Sequence, residues 1–325
     1  MPQSQDPTIV ETGTKLVEGL KGAFHTPPGY RPAHAKGLLL TGTFTPTPLA
    51  SQLSSAPHFT RPSTEIIARF SNSTGIPQIP DTDANSNPRG LAVRFMYGQR
   101  QHTDIISHST PFFPVRTGQE FLEFLGALGG GTILQFLETH EGAKKFVEAA
   151  KPFPEGFELQ KYFGLNAFKL VNGDGKITVV RYEFHPFSSE EVFLKDEEVK
   201  DKGENYLYDT LRQTVGGGGG VKMKLVVQIG EHGDPTNDIT LKWPETRKRV
   251  ELGVIELNEV KEDRELEKNI IFDPIPRVEG VEPSDDPLLE MRASLYLTSG
   301  RQRRAAPSEK KGEVDGGANG VLQAH

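Results

Sequence analysis

The chain has 325 residues, 35% hydrophobic and 25% charged, enough for one large domain or two ordinary ones around a buried core. It contains no cysteine, which excludes disulfides, thiolate catalysis, Cys-ligated zinc and iron–sulfur clusters. A formal net charge of −7 argues against a nucleic-acid partner, because phosphate binding needs clustered positive charge.

Residues 1–20 read as an N-terminal arm, in which Ile9, Leu16, Val17 and Leu20 have the spacing of a short helix able to dock. The opening MPQSQDPTIVETGTK is polar and acidic, unlike a secretory or transit peptide, and the chain ends Gln-Ala-His rather than Ser-Lys-Leu. No apolar run approaches ~20 residues, so no membrane span is expected, and the expected location is the cytoplasm.

The segments 37–45 (GLLLTGTFT), 65–72 (EIIARFSN), 90–97 (GLAVRFMY) and 102–107 (HTDIIS) predict strands, with the Pro-, Asp- and Asn-rich IPDTDANSNPRG as a loop between two of them. Thr117 then caps a helix carrying the apolar stripe Phe121, Phe124, Leu125 and Leu128, and QFLETHEGAKKFVEAA predicts a second helix. YFGLNAFKLV and KITVVRYEF flank Asn172-Gly-Asp-Gly175, a β-hairpin signal. The acidic stretch 187–215 is expected to be partly helical; beyond the glycine run 216–220, VKMKLVVQIG and VELGVIEL predict the last strands. About eight successive strands, mostly joined by short turns and with helices inserted after the fourth, favour an α+β fold built on an antiparallel β-barrel. The domain is expected to span 21–305, followed by a disordered Lys-, Glu-, Gly- and Asp-rich tail over 306–325.

A final helix is announced by Ser284-Asp285-Asp286-Pro287, with Asp286 as cap and Pro287 at the first helical position. On it Arg292 and Tyr296 share a face, and Arg303 returns to that face 11 residues on, so two guanidiniums are expected to bracket one phenol. A neighbouring guanidinium favours a phenolate, which is a hard anionic ligand suited to ferric iron. Arg and Tyr at this spacing also form surface cation–π pairs, so the pair gains meaning only from its surroundings. His34, in Tyr-Arg-Pro-Ala-His-Ala-Lys-Gly, precedes the first strand; Ser71 ends the second; and His108 follows the fourth, in Ser-His-Ser-Thr-Pro-Phe-Phe. Sites tend to be built at such strand ends.

Taken in order, HAKG (34–37) with the following TGTF, ARFSNSTG (68–75), PRGLAVRF (88–95), DIISHSTPFFPVR (104–116) and the Arg292…Tyr296 helix resemble the haem catalases, most closely their short, catalase-like peroxidase branch. The resemblance spans roughly residues 25–305. It implies ferric haem b, with Tyr296 as the iron ligand and Arg292 holding it ionised. It further implies His34 as the distal acid–base and Ser71 as the hydroxyl that orients it. Arg31, Arg69 and Arg303 would bind the haem propionates, and Phe113 and Phe121 would line the distal pocket. Two positions depart from the family: His108 stands where the family has Asn, and Ala33 where it usually has Val. An imidazole at 108 adds the capacity to exchange protons near neutral pH. The expected activity is cleavage of the O–O bond of hydrogen peroxide or organic hydroperoxides, using a reductant the sequence does not identify, in a homodimer or other small homo-oligomer. Two other readings stay open: a fatty-acid hydroperoxide isomerase of the allene oxide synthase type, and a haem-free barrel binding an apolar ligand. In the favoured reading, Tyr296 and His34 oppose each other inside the barrel.

Overall fold

The computed structural model describes residues 1–307. Helix α1 (Pro7–Phe24) precedes β1 (Gly37–Pro46), the short helices α2 (Pro48–Leu53) and α3 (Pro57–Thr60), and the run β2 (Thr64–Ser71), β3 (Gly90–Gly98) and β4 (Gln101–His108). Helices α4 (Gly118–Gly129), α5 (Ile133–Thr139) and α6 (Glu141–Glu148) are inserted before β5 (Tyr162–Val171) and β6 (Ile177–Pro186). Then come α7 (Asp196–Lys200), α8 (Tyr206–Gly216), β7 (Val221–Ile229), β8 (Arg249–Lys261), α9 (Arg264–Asn269), β9 (Val281–Pro283) and α10 (Pro287–Ala305).

The strands pair antiparallel in the order β4-β3-β2-β1-β8-β7-β6-β5, and contact between His108 of β4 and Phe163 of β5 closes the barrel. A short ninth strand, β9, adds to β5; its three residues carry too little pattern to be predicted. The β5–β6 hairpin turns where expected, with the Asn172 side-chain oxygen accepting from the amides of Asp174 and Lys176.

Because side chains alternate across a strand, the barrel has an inner and an outer residue set. The inner set is one continuous apolar cluster drawn from all eight barrel strands, including Leu38, Leu40, Phe44, Phe70, Val93, Phe95, Tyr162, Phe184, Met223 and Ile255. Each such side chain contributes about 1.5–3 kcal/mol by leaving water, and together they fill the interior. The barrel is therefore a packed core. Residues of the other register, including Leu39, Ile67, Ala92 and Ile106, pack outward against Leu266 of α9 and against Ile270 and Phe272.

The expected arm is a helix that continues past residue 20 to Phe24 and packs on α10. Its Leu16 joins Leu288 and Met291 in one apolar cluster, and Lys21 Nζ donates to Gln302 Oε1 at 2.8 Å. The helix predicted over QFLETHEGAKKFVEAA is instead two. His140 interrupts it with φ −123° and ψ 81°: its ring stacks on Phe136 at 3.7 Å and its Nδ1 pairs with the Phe136 carbonyl, local bonding that competes with the helix. The predicted tail lies, past Pro307, outside the described residues. Among the described residues, no helix is long and apolar enough to cross a membrane.

Candidate active site

The site is built on the outer wall of β1–β4, against α9 and α10. This corrects the expectation of a site inside the barrel: the interior is taken by packed rings, and the polar residues occupy the opposite register. Register aligns Gly37 with Ser71, Ser71 with Gly90, and Gly90 with His108, so Gly, Ser, Gly and His form one row across four strands.

His34 lies over that row. Its backbone is left-handed, with φ 57°, a conformation that a non-glycine residue adopts at some cost and that turns the side chain back over the strands. Its Nδ1 pairs with Ser71 Oγ at 3.0 Å. Gly90 makes the space for this. A Cβ there would stand 2.6 Å from Ser71 Oγ and 2.9 Å from His34 Nδ1. Gly37 does the same for Arg69, whose guanidinium carbon would lie 2.3 Å from a Cβ. Burial, and then the Arg69 charge, push His34 down to about 4, against a backbone hydrogen bond to Asn72 that favours the charged form. At neutral pH the ring is a neutral base.

Arg31, Arg69 and Arg303 converge. Arg31 and Arg303 each donate through Nη2 to the Ile270 carbonyl, at 3.2 and 2.9 Å. Arg31 also contacts Glu267 Oε1, to which Arg69 Nε donates at 2.8 Å. Burial alone would raise the Glu267 carboxyl; Arg31 and Arg69 overcome it and hold the group near 2. Arg31 and Arg303 are themselves pushed down, by burial and then by Arg69. The cradle is thus a buried, net-positive carboxylate site.

On α10, Arg292 donates to Tyr296 Oη from Nε at 3.3 Å and from Nη2 at 3.2 Å. Its Nη1 contacts Asn166 Oδ1 of β5, and Asn166 Nδ2 donates to Asp286 Oδ2 at 3.0 Å. Asp286 caps the same helix through its other oxygen, accepting from the Leu288 amide at 2.9 Å. The cap residue and a strand asparagine thereby orient the guanidinium that holds the phenol. Arg303 does not bracket Tyr296 as expected: seven residues of helix separate the two by roughly 10 Å along the axis, and Arg303 turns to the Arg31–Arg69 cradle instead. Gly300, within α10, gives room to Ile271, whose Cδ1 would lie 2.1 Å from a Cβ at 300.

Phe113 packs in the cluster of Leu288 and Met291 on α10 and also beside His108, so α10 borders the end of the row that His34 overlies. Phe113 and Phe121 pack with ring centroids 5.2 Å apart, and Phe113 lies 6.4 Å from the His108 ring. All ten residues singled out in the sequence thus fall into four neighbouring groups. Sequence reasoning missed Gly90 and Gly37, whose contribution is an absent side chain, and Asn166 and Glu267, which no motif flags. Among the described residues, no cluster of three or more His, Cys, Asp or Glu is placed to hold a metal ion.

The donor set suits haem on observations of its own: an arginine cradle that already binds a carboxylate, a phenol oxygen taking two guanidinium hydrogen bonds, and a buried, unpartnered Nε2 on His108.

The family model described as Catalase matches residues 11–130 and 134–310. A "Catalase-related peroxidase" of Mycolicibacterium paratuberculosis is 32% identical over 301 residues, covering 90% of this chain and 95% of the relative. One of the same description from Synechococcus elongatus is 29% identical over 305 residues, covering 90% and 88%. Among solved structures, catalase A from Saccharomyces cerevisiae superposes with a TM-score of 0.75 at 22% identity, covering 89% of this chain and 64% of that one.

Proposed function

Because the chain belongs to the catalase family, we propose that it is a peroxide-consuming enzyme that binds ferric haem b between the outer barrel wall and α10. Tyr296 is the iron ligand in this reading, and the paired donation of Arg292 to its Oη, at 3.3 and 3.2 Å, is the observation that carries it. Two guanidinium donors fix the position of that oxygen, and a tyrosine oxygen is a hard ligand suited to ferric iron. Arg31, Arg69 and Arg303 carry three positive charges and Glu267 one negative, leaving two (3 − 1 = 2), the number needed to neutralise two haem carboxylates.

Bound there, haem would supply the redox chemistry that breaks a peroxide O–O bond. The chain's own residues manage protons and water. His34, neutral at pH 7 because burial depresses it, takes a proton from one peroxide oxygen through Nε2 and returns it to the other. Ser71 Oγ fixes the ring from Nδ1, and the missing side chain at Gly90 leaves room for it. Phe113 and Phe121 form an apolar wall that keeps bulk water from the exchanging proton.

The relatives named catalase-related peroxidases favour peroxide reduction over hydroperoxide isomerisation, and oxygen evolution set against lipid product separates the two reactions in an assay. The packed barrel interior counts against the haem-free binder. Tyr296→Phe is the test. It should abolish haem retention or remove the absorption bands of phenolate-ligated ferric haem, and an unchanged ferric spectrum would eliminate Tyr296 as ligand.

A further inference from the structure

One polar atom bordering the site has no role in the scheme above. His108 Nε2 is buried and without a hydrogen-bond partner among the described residues, whereas Nδ1 accepts from the Thr110 amide at 3.2 Å. An imidazole nitrogen that accepts from a backbone N–H carries no proton, so in the neutral ring the proton sits on Nε2. Leaving such a donor buried and unpaired costs about 1–3 kcal/mol, and native structures keep unpaired donors mainly where a ligand or water completes them.

We propose that His108 is a fixed hydrogen-bond donor for the bound substrate, presenting Nε2–H to a peroxide oxygen held beside His34 and exchanging no proton itself. The proposal rests on the haem reading above and refines it, because free imidazole chemistry at this position would have made His108 a second base. Three features hold the donor in place. Thr110's amide fixes the tautomer two residues along the same chain. Backbone pairing to Gly90 on one side and Phe163 on the other anchors the residue at the seam where the barrel closes. The Phe113 ring flanks it.

The charged and titratable groups that act on the ring are His34, from the segment before β1, and Arg292, from α10. Neither is an anion, so nothing offsets burial, and the ring is held down to about 3. It therefore stays neutral throughout the range in which a free histidine titrates. Labour is divided: His34 moves the proton, and His108 holds the oxygen in its path.

Two measurements test this on the full chain. Nitrogen-15 NMR of histidine-labelled protein should show His108 as the Nε2–H tautomer with shifts flat between pH 5 and 8. An Nδ1–H tautomer, or a titration inside that range, overturns the proposal whether or not haem binds. In the haem-loaded enzyme, azide and fluoride affinities then compare His108→Asn, which keeps an N–H donor, with His108→Leu, which has none. His108→Gln serves as a second donor variant should Asn fold poorly. Asn or Gln should stay within roughly threefold of the parent, and Leu should weaken binding by roughly tenfold or more, the loss expected for a hydrogen bond to a charged acceptor. Equal effects in Asn and Leu refute the donor role. A parent chain that takes up no haem refutes the functional reading instead, and the two failures are distinct.

Discussion

At the scale of single residues, the site depends as much on missing atoms as on reactive ones. The His34 ring has room over the strands because Gly90 has no side chain, where a Cβ would stand 2.9 Å from its Nδ1, and register puts Ser71, Gly90 and His108 in one row. Gly90→Ala should therefore be a selective lesion. Its backbone is ordinary strand, so folding and haem content should change little, while the displaced imidazole should lower peroxide turnover by roughly 100-fold, the lower range for losing a positioned acid–base group. Steady-state turnover alongside the Soret absorbance per chain checks this; a loss of haem in parallel with activity would make Gly90 a structural position. The Arg292–Tyr296 pair was legible in the sequence from its helical spacing, and His34 and Ser71 from their strand-end positions and the motifs that resemble the family. Gly90 was not, since nothing in PRGLAVRF says which neighbour its missing side chain accommodates.

At the scale of elements, α10 presents Tyr296 and also receives the groups that orient it. Its N-cap Asp286 spends one oxygen on the Leu288 amide and the other on Asn166, which in turn contacts Arg292. Burial raises the Asp286 carboxyl, so its stability depends on these donors. Asn166→Ala should leave helix content intact, cost about 1 kcal/mol of stability, and let Arg292 drift from Oη. Haem affinity should fall several-fold with a shifted visible spectrum, whereas an unaltered spectrum would show that Arg292 holds its position without β5. The cap and Pro287 were readable from sequence spacing alone. The asparagine was not, because it lies 120 residues from Asp286 and reaches it only through the fold. The split of the predicted second helix at His140 has a similar origin: a ring that packs on Phe136 outweighs local helical propensity.

At the scale of the whole molecule, a filled barrel serves as a wall, and the proposed site lies on its outside. Burial also gives the fold a definite acid response. His34 is held at about 4, and His58 and His108 at about 3, against an ordinary 6.5. Above 6.5 the rings are neutral in both folded and unfolded chains, so stability is fully present. As pH falls from about 6.5 towards 3, the unfolded chain takes up protons that the folded rings refuse, and stability is lost by an amount on the order of several kcal/mol. Glu267, held near 2, adds a further loss below its ordinary 4.5. The melting temperature should decline steadily between pH 6.5 and 4. His58→Phe should flatten part of that decline, because His58 packs between Phe59 and Phe95 with an unpartnered Nδ1. A melting temperature constant over the range would contradict these buried neutral rings.

The sequence by itself determined the elements and the chemical inventory. Alternating apolar runs and turn residues specify antiparallel strands, a capped helix starts at Asp286, and the motif series contains the histidines, arginines and tyrosine of the site. Those properties are local, written in spacings of two to four residues that any short stretch reveals. Only the tertiary structure decided which face of the strands is core and which is site, because both faces are rich in apolar residues and register alone separates them. It also decided that Arg303 joins Arg31 and Arg69 rather than Tyr296, and that Asn166 and Glu267 complete the two arginine clusters. Those partners are set by barrel closure and helix docking, which bring together residues that no periodicity relates.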